Sequence, residues 1–144
     1  MFSGGTAQAD FFEVLGRRSV GMTFWFDNKL WTQSDDSDVA LFNSVMQRLA
    51  PTTRIDNNVV TTFSTLMTLK QIGDRVGGDR FVRGELARTL SEAGRYKQFM
   101  GPEVDTSVHL PGFPTAFHTG AFLYSWNGTG FDAAGTGYYS VNPA

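Results

Sequence analysis

Apolar residues recur along this chain with two periods, and each period marks a type of element. Phe11, Phe12 and Leu15 supply the apolar face of a short helix from Thr6 to about Arg17. Thr6 stands ready to cap it, Asp10 and Glu13 sit early, and Arg17 and Arg18 sit late, as a helix dipole favours. Val20-Gly21-Met22-Thr23-Phe24-Trp25-Phe26 is rich in strand-forming residues. With Asp27-Asn28-Lys29 as its turn and Leu30-Trp31-Thr32 returning, the segment 20–32 reads as a β-hairpin.

Farther on, Ser34-Asp35-Asp36-Ser37-Asp38 places caps and carboxylates ahead of Val39, Phe42, Val45, Met46 and Leu49, which share one helical face. Pro51 stops that helix. The same acidic run lacks the alternating oxygen ligands, central Gly and distal Glu of a calcium loop, so it is read as capping. Residues 58–72 carry two signals. Val59, Phe63, Leu66 and Met67 fit a helix capped by Asn57 or Asn58 and ended by Gly73, whereas the Thr-rich run Val59–Thr65 also suits a strand. The length of the periodic run favours the helix. After Gly77-Gly78, Val82, Leu86, Leu90, Ala93, Tyr96 and Met100 define a further helix from Arg80 to about Met100, with Arg80, Arg88 and Arg95 opposite and Glu85 and Glu92 placed to pair with Arg88.

Composition divides the chain near residue 100. All 12 basic residues precede that point, whereas Glu103, Asp105 and Asp132 are the only charges after it. Residues 101–144 hold seven of the 16 glycines, four of the five prolines and eight of the 20 aromatic residues. The fold expected is therefore α+β: a mostly helical body over about 1–100 with one hairpin at about 20–32, then an extended Gly/Pro/aromatic-rich C-terminal arm over 101–144. Rings strung along so pliant a segment need cover, since apolar area kept from water is worth roughly 25 cal/mol per Å². Two covers are available. Phe122-Leu123-Tyr124-Ser125-Trp126 adds a strand to the hairpin, or the arm packs on another chain, which is the reading adopted. It makes Phe113, Phe117, Phe122, Tyr124, Trp126, Phe131, Tyr138 and Tyr139 the partner-contacting residues. Gly128-Thr129-Gly130-Phe131 recurs as Gly135-Thr136-Gly137-Tyr138, a spacing too short for a repeat fold.

Candidate chemistry is sparse. No cysteine is present, which removes disulfides, thiol catalysis and Cys-ligated metal. His109 and His118 flank a Pro- and Gly-containing segment that does not set their separation, so no metal or acid–base site is assigned and no cofactor is expected. Gly73–Arg80 lacks the Gly-Lys-Ser/Thr ending of a phosphate loop, and no Gly-x-Ser-x-Gly or His-Glu-x-x-His motif occurs. A formal charge of -2 and the acids interspersed with the Arg80–Lys97 cations disfavour a backbone-tracking nucleic-acid site. The uncharged stretch between Asp105 and Asp132 contains prolines and glycines and fails as a membrane-spanning helix. Met1–Thr6 has no basic region leading into an apolar one, so no secretory signal is expected.

These features point to a non-catalytic structural or assembly subunit whose arm contacts other protein subunits or copies of itself. In general style it resembles accessory subunits of virions, secretion machines and membrane complexes, an analogy of architecture only. Two alternatives stay open: a small enzyme or ligand-binding domain with an aromatic-lined pocket, and a nucleic-acid-associated factor using the Arg80–Lys97 helix.

Overall fold

The computed structural model describes residues 1–77, 94–108 and 120–140, together with Gly84, Glu85, Arg88 and Gly112. Its elements are β1 (Phe2–Ser3), α1 (Ala9–Leu15), β2 (Thr23–Phe26), α2 (Ser37–Leu49), α3 (Asn57–Val76), β3 (Arg95–Lys97), β4 (Glu103–Asp105), β5 (Gly120–Trp126) and β6 (Phe131–Ser140). A four-stranded mixed sheet runs in the order β1-β2-β5-β6, and β3 and β4 form a separate antiparallel pair.

This sheet corrects the expectation of a mostly helical body carrying a hairpin and a trailing arm. β2 does not turn back on Leu30–Thr32. Its antiparallel partner is β5, with Phe24 opposite Tyr124 and Phe26 opposite Phe122, and its other neighbour is β1, in parallel. The reason lies in the side chains. Phe24 and Phe26 alternate inward with almost no exposure, and they need a facing pair of large apolar residues one strand away. Phe122 and Tyr124 provide that pair, whereas Leu30-Trp31-Thr32 is too short and turns toward the helices instead. The hairpin of the molecule is β5–β6, built from residues expected to trail.

Two apolar clusters lie side by side. One gathers Ala7, Phe24, Phe26, Leu30, Phe122 and Tyr124, with Phe11 and Phe12 of α1 packed on it. The other joins Val39 and Phe42 of α2 to Val60 of α3 and to Phe99 and Met100. Trp31 packs against both. Between them runs a buried polar seam. Asn28 Nδ2 donates to Ser64 Oγ (2.8 Å) and to the Phe99 carbonyl (3.3 Å), and Lys29 N–H donates to the Met100 carbonyl (2.7 Å). Asp38 Oδ2 accepts from Met100 N–H at 3.2 Å. The segment after β3 is thus held by α2, α3 and the chain following β2, which fixes Met100 at a φ of 54°.

The two central helices form where the periodicity places them. Asp36 caps α2 by accepting from the N–H groups of Asp38 (2.9 Å) and Val39 (3.2 Å). Residues 58–72 are helical, within α3, and its cap is Asp56 rather than Asn57 or Asn58. Gly73 lies inside α3, and the terminator is Gly77, whose φ of 86° suits glycine. The helix expected from Arg80 to Met100 gives way by Arg95, where β3 begins. Much of its earlier part lies outside the described residues. Among the described residues, no helix is long and apolar enough to cross a membrane.

β6 carries a wide bulge. Phe122 faces Tyr138 and Tyr124 faces Ala133, so two steps along β5 correspond to five along β6. Gly135 and Gly137 have φ values of 87° and 105° at the bulge. The Tyr139 hydroxyl donates to the Ala134 carbonyl (3.2 Å) and lies where a side chain at Gly135 would be. The two Gly-Thr-Gly triplets therefore serve different local needs: the first is the β5–β6 turn, the second the bulge.

Candidate functional site

A cleft of about 460 Å³ opens where α1, the end of the β5–β6 hairpin and two loops meet. Phe12 and Glu13 come from α1, Trp31 and Thr32 from the loop after β2, Arg54 and Asp56 from the loop before α3, and Trp126, Thr129 and Phe131 from the hairpin. Each wall has a local cause. Asn127 Oδ1 accepts from the N–H groups of Thr129 (3.0 Å) and Gly130 (2.8 Å), which closes the hairpin turn around Gly128 at a φ of 106°. Gly21 N–H donates to the Trp126 carbonyl (2.8 Å), and Trp126 N–H donates to the Met22 carbonyl (3.0 Å). These bonds fix the end of β5.

The aromatic wall is a three-ring cluster. Trp126 stacks on Phe12 with centroids 4.0 Å apart and planes 19° apart, and Phe131 meets Trp126 at 5.1 Å and Phe12 at 5.7 Å. Trp31 also lines the cleft, and its carbonyl accepts from Asn43 Nδ2 (2.8 Å). Its loop is tied back to the sheet through Gln33 Oε1, which accepts from Leu30 N–H (3.1 Å) and the Tyr124 hydroxyl (2.9 Å). Asp56 spends Oδ1 on Val59 N–H at 3.0 Å. Glu13 and Arg54 are exposed and make no salt bridge among the described residues. The cleft thus joins large apolar surfaces to a rim of carboxylates and one guanidinium, the mixture typical of small-molecule sites.

The eight aromatic residues expected to meet a partner separate into groups. Phe122 and Tyr124 are buried in the molecule's own core, so they are not a free contact surface. Tyr138 packs against that core, its ring 5.2 Å from Phe122. Trp126 and Phe131 are half-buried and line the cleft. Tyr139 is 41% exposed. Phe113 and Phe117 lie outside the described residues, as do His109 and His118. The physical reason for the change is the β2–β5 ladder, which gives the rings an apolar surface within their own chain.

Sequence reasoning treated Phe12 and Trp31 as core or strand residues, and Arg54 and Asp56 as nothing in particular. No spacing could have grouped them, because the cleft depends on β2 pairing with a strand about a hundred residues away. Among the described residues, no group of three His, Asp or Glu side chains is placed to hold a metal ion. The described cations of the expected basic region face acids. Arg88 pairs with Glu85, Arg95 Nε bonds Asp105 at 3.0 Å, and Lys97 meets Asp38 at 2.8 Å. Compared with protein-family models, curated proteins and solved structures, the chain matches none.

Proposed function

We propose that this chain is a small-molecule-binding domain whose site is the aromatic cleft between α1 and the β5–β6 turn. The observation that carries the reading is the convergence of Trp31, Trp126, Phe12 and Phe131 with Glu13, Arg54 and Asp56 around a space of about 460 Å³. That volume lies within the roughly 300–1,000 Å³ of ordinary ligand sites. The walls are held by hydrogen bonds inside the protein, so a ligand meets a formed surface and little ordering opposes binding.

A fragment screen by two-dimensional NMR on the full chain tests it. Binders should move the indole N–H signals of Trp31 and Trp126 and leave that of Trp25, which alternates to the other face of β2. A diverse library at millimolar concentration that moves neither cleft signal overturns the proposal.

A second reading, assembly with other protein subunits or copies of itself, draws support from another observation. Val14, Leu49 and Leu66 are 85%, 70% and 62% exposed, apolar side chains whose cover by a partner subunit would remove area from water. Light scattering of the purified chain, and of its Leu49→Lys and Val14→Lys variants, tests this role. Concentration-dependent association that the substitutions abolish supports it, and a monomer at all concentrations removes its basis.

A further inference from the structure

We infer that the cleft is built for a neutral carbohydrate, one or two sugar rings in size; this rests on the small-molecule reading of the same cleft. The charges narrow the class first. Glu13 and Asp56 supply two carboxylates and Arg54 one guanidinium around the same space. Two carboxylates repel a phosphate, sulfate or organic acid, and the guanidinium offsets part of the attraction they would offer an organic cation. A ligand bearing many hydroxyls meets neither difficulty. Each hydroxyl donates to a carboxylate oxygen or accepts from the guanidinium, so groups of both signs are used at once.

The walls narrow it again. A sugar ring has hydroxyls around its edge and a face of C–H groups, and such a face covers an indole or phenyl ring without an unmet polar atom. Trp31 lines the same cleft as the Trp126–Phe131–Phe12 cluster, so the cleft offers broad aromatic surface together with hydrogen-bonding groups. A wholly apolar ligand would take water from Asp56, whose carboxylate is half-buried, and replace none of its hydrogen bonds. The rim acids and base are not committed elsewhere. Glu13 and Arg54 form no salt bridge among the described residues, and Asp56 gives one oxygen to the α3 cap.

The test is a titration of the isotope-labelled full chain, followed through its three indole N–H signals. The probes are the methyl glycosides of glucose, galactose, mannose and N-acetylglucosamine. Benzyltrimethylammonium, benzoate and benzyl alcohol serve as cationic, anionic and neutral aromatic comparisons. At least one glycoside should shift Trp31 and Trp126 saturably with a Kd of about 1–10 mM, leaving Trp25 in place. Glu13→Gln and Arg54→Ala, both at exposed positions, should each weaken that binding about five- to tenfold. If no glycoside moves the cleft signals but one of the three comparison compounds does, the cleft binds ligands and the carbohydrate assignment is wrong. If none of the seven compounds moves them, the carbohydrate assignment is likewise wrong, and the library screen alone decides whether the cleft binds any small molecule. Glycoside binding that both substitutions leave unchanged also overturns the proposal, since the rim then recognises nothing.

Discussion

Ending the chain at residue 118 should unfold it, and the size of the effect follows from four rings. Deletion removes Phe122 and Tyr124, which are 7% and 2% exposed, and uncovers Phe24 and Phe26, which are 0% and 1% exposed. Full burial of a large apolar side chain is worth about 1.5–3 kcal/mol, so the two deleted rings, with the two partly uncovered ones counted at about half, amount to about 4–9 kcal/mol. The β2–β5 backbone ladder is lost as well. A small domain has only about 5–15 kcal/mol of total stability, so the shortened chain has little or none left. Near-UV circular dichroism and urea titration of both chains measure the outcome. The shortened chain should lack near-UV signal and a cooperative transition, while the full chain shows both. A shortened chain that retains its near-UV spectrum and unfolds cooperatively would refute the reasoning and restore residues 120–140 to the status of an appendage.

Three other outcomes follow from local geometry. Asp36→Ala should cost about 1–2 kcal/mol in urea unfolding, because the α2 cap to Asp38 and Val39 disappears along with the Lys29 pair. Burial alone raises the Asp36 pKa, but the Lys29 ammonium and the Val39 and Asp38 N–H groups outweigh it and hold the carboxyl below its ordinary 3.8. Its contribution is therefore full above about pH 4 and lost as pH falls through the lower folded value, so the acid-unfolding curve of Asp36→Asn should be flatter there. At the alkaline end, burial pushes the Tyr124 phenol up to about 12, with the Leu30 N–H pulling the other way. The unfolded chain releases that proton near pH 10, so stability is full below 10 and falls as pH rises toward 12, by about 2 kcal/mol. Tyr124→Phe should remove this share of the decline in a pH series of thermal melts. Finally, Gly120→Ala places a methyl 2.2 Å from the Tyr139 carbonyl oxygen and should cost about 1–3 kcal/mol, whereas Gly130→Ala meets nothing within 4 Å and should change the melting temperature little.

The helical middle of the molecule was legible because its signals are local. Asp36 and Pro51 bracket α2, and the periodic run from Val59 reads as α3, since caps, stops and one apolar face lie within a few residues of each other. Even there the pattern overreached: Leu49 has the right phase for the core yet is 70% exposed at the last turn of α2. The sheet was not legible in the same way. Phe24 and Phe26 announce a strand but not its partner, and Lys29 and Asp36 draw the following loop away from β2 rather than back along it. The glycines and prolines after residue 100 signal turns, and turns belong equally to an arm and to a bulged hairpin. The cleft was hidden for a further reason: its aromatic walls come from segments that meet only once that hairpin is seated.

The hydroxyls of Thr23 and Ser125 approach within 3.4 Å across 102 residues of chain. During synthesis, then, Phe24 and Phe26 emerge long before the strand that completes their cover, with the earlier Phe2, Phe11 and Phe12 rings alone to meet Phe24, and α2 and α3 are complete while the sheet still lacks its middle. Long-range pairings of this kind form slowly, so the newborn chain passes through an interval with its most apolar strand only partly covered. Any holding chaperone that serves this protein would find its target there, near the first ring pair, and would have to let go before the last fifth of the chain could settle.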